Sequence, residues 1–239
     1  MNDFEKIFLL GVGFSSVKES EVLEFIARGL ENSSKNYYIV TPNPEILVIA
    51  NGDSKYRDIL NKAELALPDG VGVMWAAKIM GKPLKELIHG VDLMENLCFY
   101  VSKRPITVGF LGAGPGVADK TAECLQKKYP GLKVGLVSQE WNESLKAKKV
   151  DILFVAFGSP KQEIWIENHI NSMPAKIAIG VGGAFDFISG RVPRAPVVLR
   201  RLGLEWLFRL VIQPWRIKRQ FSLVKFVYLV LRQKIKNKS

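Results

Sequence analysis

Asp69 stands between Pro68 and Gly70 in the run ALPDGVGVMW, residues 66–75. A carboxylate on a proline-stiffened loop, where an apolar run gives way to a helix-like one, can act as a general base beside a cleft. The same placement suits an aspartate that merely closes a turn or caps a helix. In YYIVTPNPE, residues 37–45, two prolines fix the loop that carries Thr41 and Asn43. These short polar side chains can hold a substrate, or Asn43 can simply cap the helix-like run that follows.

Three more segments invite a charged ligand. In GFLGAGPGVA, residues 109–118, Gly112, Gly114 and Gly116 form a plausible nest of backbone amides for a phosphate. The spacing approximates GxGxxG, with Val117 where the last glycine belongs. Glu140 lies roughly where a ribose-binding acid would sit, so a nicotinamide-dependent oxidoreductase is one alternative. In VAFGSPKQEIWI, residues 155–166, Pro160 opens a helix whose first turn holds Lys161, Gln162 and Glu163. That turn suits an anion, and also a capping box with Ser159 as cap and Gln162 at its third position. In GVGGAFDFISGRVPRAP, residues 180–196, Asp186 lies between Phe185 and Phe187, a pattern able to read a nucleobase edge beside an aromatic wall. Arg191 and Arg194 follow.

Other chemistries find little footing. His89 and His169 are far apart and no HxxxH, HxH or DxD pattern occurs, so no dedicated metal site and no cofactor are expected. Cys98 and Cys124 lack CxxC spacing and read as buried, reduced thiols. No GxSxG nucleophile motif is present.

The elements that must position these residues alternate. Strand-like apolar runs fall at 7–13, 37–41, 65–67, 107–112, 133–137, 152–157 and 177–181, several of them near-continuous as expected of strands buried on both faces. Helix-like stretches lie between them at 19–30, 71–80, 115–128 and 161–171. The alternation predicts an α/β layered domain with a largely parallel, Rossmann-like sheet. In such a sheet ligands bind beyond the carboxyl ends of the strands, where all five motifs fall.

Charge divides the chain. Residues 191–239 hold 13 Lys+Arg against a single acid, Glu205, while the first 190 hold 21 Lys+Arg and 22 Asp+Glu. The reading is a body at 1–193 and a basic, helical appendage at 194–239, with amphipathic helices at 197–211 and 215–236. Because the strands are complete by residue 181, a chain ending near Pro193 is expected to stay folded. Large apolar side chains between the tail's charges suit an anionic membrane surface better than nucleic acid, the second alternative. The most apolar stretch, 221–231, is short and contains Lys225, so no membrane span is expected. The N-terminus does not read as a signal peptide, and the expected compartment is the cytoplasm.

Taken together, the ordered motifs TPNPE, LPDGVGV, GAGPGVA, FGSPKQE, GVGGAFDF, RAP, LEWLFRL and PWRIKR resemble the WecG/TagA/CpsF family of bacterial glycosyltransferases (glycosyltransferase family 26), from about residue 7 to 220. The resemblance implies inverting, metal-independent transfer of a sugar, N-acetylmannosamine in the teichoic acid case, from a UDP donor. The acceptor it implies is GlcNAc on undecaprenyl pyrophosphate, at the cytoplasmic face of the membrane. It marks Asp69 as the catalytic base, Thr41 and Asn43 as substrate contacts, Gln162 and Asp186 as contacts to the donor nucleotide, and Arg209 and Arg216 as contacts to the diphosphate. Which pathway is served, and whether the chain forms a homo-oligomer, is left open by the sequence.

Overall fold

The computed structural model describes residues 4–32 and 35–237. The first strand-like run does not go straight. It folds back as a hairpin of β1 (Lys6–Leu9) and β2 (Val12–Ser15), with Leu9 opposite Val12. Leu10 and Gly11 make the two-residue turn at φ of 50° and 83°, the doubly left-handed geometry that matches strand twist. Leu10 is held in it by its N–H, which donates to Gln233 Oε1 at 3.0 Å. Asn61 brackets the same turn, donating to the Gly11 carbonyl and accepting from the Gly13 N–H, both at 2.9 Å.

The main sheet is built from β3 (Tyr37–Val40), β4 (Leu65–Ala66), β5 (Thr107–Gly112), β6 (Lys133–Ser138), β7 (Val150–Ala156) and β8 (Ala175–Gly180). Their order is β4-β3-β8-β7-β5-β6 and every pair is parallel. Parallel neighbours require crossovers, and helices supply most of them. On one face lie α2 (Pro44–Gly52), α3 (Ser54–Lys62), α4 (Val71–Ile79) and α7 (Lys161–His169); on the other lie α1 (Glu19–Asn32), α5 (Gly90–Val101), α6 (Val117–Lys128) and α8 (Ala184–Ile188). In β7, Leu153 and Val155 join the first core while Ile152, Phe154 and Ala156 join the second. Side chains alternate across a strand, so a sheet covered on both sides needs an unbroken apolar run.

The chain leaves β3, β4 and β7 toward one face and β5 and β8 toward the other. Neighbouring strands whose exits diverge leave a crevice at their carboxyl ends. The candidate motifs sit on this rim.

The basic tail differs from its sequence reading. The helix expected at 197–211 is two, α9 (Val197–Arg201) and α10 (Glu205–Ile212), separated at Gly203, whose φ of 73° no continuing helix accepts. A 3₁₀ turn, Pro214–Arg216, then leads into α11 (Ile217–Lys236). This last helix lies along α2 and α4. Phe226 and Val230 are each 1% exposed and belong to the core shared with α2, α3 and α4. The boundary drawn at 193/194 therefore marks a change of charge, while the core continues across it.

Truncating Phe226 to alanine should destabilise the protein by about 3–5 kcal/mol, the usual range for a fully buried aromatic ring. Urea unfolding followed by circular dichroism reads this directly. A midpoint equal to that of the unaltered chain would show that α11 does not carry the core.

Candidate active site

The loop holding Asp69 is fixed by main-chain bonds. β4 is only two residues long, and the strand direction is carried on by Leu67 N–H donating to Val40 O and Asp69 N–H donating to Pro42 O at 3.1 Å. Ile88 N–H donates to Pro68 O at 3.0 Å, tying in the segment that precedes α5. Gly70, not Asp69, is the residue that caps α4, and the Asp69 side chain plays no part in that cap. Asp69 Oδ1 instead meets His89 Nδ1 at 2.8 Å. Hydrogen bonding to Asp69 raises the His89 pKa above its ordinary value; burial opposes this, and Asp69, Glu205 and Asp92 add attraction for the imidazolium.

Three positions along, Asp92 in the first turn of α5 takes a bidentate ion pair from Arg194, with Nη1 and Nη2 at 2.7 and 2.5 Å from its two oxygens. Burial pushes the Asp92 carboxyl up, but the Arg194 hydrogen bonds and charge outweigh it and leave the pKa below the ordinary value. Arg194 Nε also lies 3.7 Å from Glu205, the tail's lone acid. Arg194 is thus committed to Asp92.

Thr41 and Asn43 follow β3. The Thr41 hydroxyl donates to the Gly180 carbonyl at 3.1 Å and is buried, joining the ends of β3 and β8. Asn43 Oδ1 accepts from Ile46 N–H at 3.1 Å, the capping role its position suggests. Gln162 is 2% exposed. Its Oε1 accepts from Gly158 N–H and from Gly182 N–H, both at 3.1 Å, and its Nε2 donates to Glu163 Oε1 at 2.8 Å. The loops after β7 and β8 are pinned together by this one amide. The capping box expected from Ser159 is not formed: Pro160 occupies the cap position, and the Ser159 hydroxyl donates to Glu163 Oε1 at 2.7 Å. Lys161 is exposed at the start of α7.

The glycine loop after β5 faces the chain that follows β8. Gly112 has φ of 113°, and a Cβ there would come within 2.8 Å of the Ala156 backbone, so glycine lets β5 and β7 close at their ends. The Arg191 guanidinium fills the place where a Gly114 side chain would begin. Arg191 Nη1 lies 3.7 Å from Asp186 Oδ1. Arg209, on α10, lays its guanidinium over the Phe187 ring at 4.7 Å and against Gly183, and its Nε donates to Gln213 Oε1 at 3.3 Å. The tail therefore returns to the rim of the sheet. The side chain of Arg216 lies outside the described residues.

Asp69, Thr41 and Gln162 form one continuous line along the ends of β4, β3, β8 and β7. Gly112, Gly114, Asp186, Arg191 and Arg209 continue it toward β5. Arg194 is not part of this line and is held in its ion pair with Asp92. His89 and Asp92 carry no sequence motif of their own, and Glu205 lies within LEWLFRL, where only Arg209 is marked. The available signals were a histidine placed just before a helix and a solitary acid in a basic tail. Among the described residues no three of His, Cys, Asp or Glu are grouped to hold a metal ion.

A parallel α/β sheet with an acid, a glycine nest and arginines along one rim is a frame for group transfer, and comparison with known proteins specifies the group. The family model described as the glycosyl transferase WecG/TagA/CpsF family matches residues 7–239. A Bacillus spizizenii protein named N-acetylglucosaminyldiphosphoundecaprenol N-acetyl-beta-D-mannosaminyltransferase is 36% identical, over 90% of this chain and 87% of its own. Proteins of the same name from Bacillus subtilis and Staphylococcus aureus are 36% and 33% identical, over 84% and 98% of this chain and 80% and 95% of their own. The protein is a glycosyltransferase. It belongs to the WecG/TagA/CpsF family, and neither the oxidoreductase nor the nucleic-acid alternative finds support in these relatives.

Proposed function

We propose that the protein transfers N-acetylmannosamine from a UDP-linked donor to N-acetylglucosamine carried on a lipid diphosphate, inverting the anomeric carbon. The sugar and the acceptor follow the names of relatives alike over nearly the whole chain. The observation that carries the chemistry is the Asp69 carboxylate, held on a stapled loop at the rim, partly exposed and free of any capping duty. In an inverting transfer the acceptor hydroxyl attacks the anomeric carbon from the side opposite the leaving group. Asp69 takes the hydroxyl proton as the new C–O bond forms, and the UDP oxygen leaves with the electrons of the broken bond.

The leaving diphosphate needs positive charge. Arg191 over Gly114, Arg209 beside Gly183, and the arginine at position 216 supply it, with backbone amides of the Gly112 to Gly116 loop as further donors. In this reading Asp186, 3.7 Å from Arg191, contacts the nucleoside, and Lys161 adds charge at the start of α7. Gln162 and Thr41 act in this reading by fixing the loops around the donor.

A lipid-borne acceptor brings the enzyme to a membrane surface, on the cytoplasmic side where the UDP-sugar is. Ile217, Phe221, Val224, Tyr228, Leu231 and Ile235 form an exposed row along α11 at alternating spacings of four and three. Lysines and arginines flank that row and α11 contains no acid, which suits anionic headgroups and opposes stacking against a second copy of itself. No helix among the described residues is long and apolar enough to cross a membrane. The tail thus lies on the surface with its apolar row in the interface.

Incubating the purified chain with UDP-N-acetylmannosamine and a short-chain lipid-diphosphate-N-acetylglucosamine should give a β-linked disaccharide product, read by mass spectrometry and NMR. Asp69→Asn should retain the fold and UDP binding while slowing turnover by about 10²–10⁴, the contribution expected of a general base. Turnover within about threefold of the unaltered enzyme would refute the assignment.

Replacing Phe221, Tyr228 and Leu231 together by serine should weaken co-sedimentation with anionic vesicles by about tenfold or more, given about 1.5–3 kcal/mol for each large apolar side chain transferred fully from water. Undiminished vesicle binding would place the membrane contact elsewhere.

A further inference from the structure

We propose that His89 is a positioning residue for Asp69: its neutral imidazole donates Nδ1–H to Asp69 Oδ1, which fixes the carboxylate and leaves Oδ2 to take the acceptor proton. The inference rests on the transferase reading of Asp69. Protonating the imidazole at its other nitrogen turns a polarised hydrogen bond into an ion pair, drains basicity from Oδ2, and slows transfer.

The geometry is over-determined. The side-chain contact of 2.8 Å between Nδ1 and Oδ1 runs beside the main-chain bond from Ile88 to Pro68. Ile88 itself is fully buried, so the segment carrying His89 is anchored from beneath. His89 is the residue just before α5, in extended conformation, and no side-chain cap bond competes for its ring. With Nδ1 committed to the carboxylate, a neutral ring carries its proton there and keeps Nε2 as the site that gains one. Both side chains remain partly exposed, at 23% and 29%, so proton exchange with solvent is open to the pair.

The charges around the ring favour its protonation near neutral pH. Asp69 faces it from the loop after β4, Asp92 from the first turn of α5, and Glu205 from the start of α10. Among the described residues, the cations beside Asp92 are Arg194, whose guanidinium is committed to it, and Arg200, 4.0 Å from the same carboxylate. The His89 pKa accordingly lies above 6.5, with hydrogen bonding to Asp69 as the leading cause. Activity should therefore fall as the pH drops through a value above 6.5, well above the range in which an ordinary carboxylate titrates. The proton balance of the reaction is unchanged: the acceptor proton passes to Asp69 Oδ2 and then to water, while His89 keeps its own.

The test is the pH dependence of kcat/KM on a water-soluble acceptor for the unaltered enzyme, His89→Asn and His89→Ala, with an NMR titration of the histidines. The chain contains two, so His169→Gln assigns the His89 signal. Asparagine keeps a donor near the Nδ1 position but does not titrate. His89→Asn should lose the acidic limb above pH 6.5 and fall about three- to tenfold at its plateau. His89→Ala should lose the same limb and fall about 10- to 100-fold, as a carboxylate freed to rotate would. The His89 titration should move to lower pH in Asp69→Asn. Plateaus and limbs identical to the unaltered enzyme in both variants would overturn the proposal, as would an NMR midpoint that ignores Asp69→Asn. A loss of about 10³ or more in both variants, equal to that of Asp69→Asn, would make His89 the base itself and overturn it differently. Failure of the transferase reading is distinguishable, since the unaltered enzyme would then form no disaccharide while the NMR titration still reported the pair.

Discussion

The ion pair between Asp92 and Arg194 decides where the basic end of this chain goes. An exposed pair contributes about 0–1 kcal/mol and would barely guide a chain. This one is bidentate and partly buried, with side chains 32% and 19% exposed, so the guanidinium fork fixes direction as well as distance. It anchors the segment just after the body at the first turn of α5, three residues from His89. From there α9 and α10 run back across the rim. The turn at Gly203 packs on Val71, two residues beyond Asp69, and Arg209 arrives over Phe187. The anchor thus acts with the Gly203 and Arg209 contacts to hold α9 and α10 against the rim, with Glu205 3.7 Å from Arg194.

The last helix has two apolar sides. One side buries Phe226 and Val230 in the core, and Phe226 also comes within 3.6 Å of where a Gly72 side chain would begin, next to Pro44. Pro44 opens α2 after Asn43, and Gly72 lies in α4 after Asp69. The opposite side presents the exposed apolar row. Burial of Phe226 therefore ties the helix that bears this row to α2 and α4, the helices that follow Asn43 and Asp69.

Much of this was legible in the sequence. Near-continuous apolar runs gave the parallel sheet, because strands covered on both faces have no polar side to show. The rim motifs followed, because parallel strands all end at the same edge. The run at 7–13 reads as one strand and is a hairpin, since Leu10 at a left-handed turn position breaks the usual preference and is held there by Gln233, 223 residues away. The break at Gly203 was hidden by a helical pattern that runs on through it. No local pattern marks His89 as a partner of Asp69, because the two lie 20 residues apart, across a helix and a loop. The double-sided character of α11 was masked by its charge: a helix with two apolar faces and a basic remainder reads as amphipathic from either side. Residue types announced the chemistry, whereas long-range hydrogen bonds and ion pairs set the geometry.

The claim that the tail completes the site is tested most directly by a double-mutant cycle across its anchor. Asp92→Asn and Arg194→Gln, singly and together, would be assayed for sugar transfer to a water-soluble acceptor without membranes. If the pair seats the tail, each single variant should lower kcat/KM by on the order of 10- to 100-fold through misplacement of the rim, and the double variant should be no worse than the poorer single one. Wild-type turnover in both singles, or losses that multiply in the double variant, would contradict it.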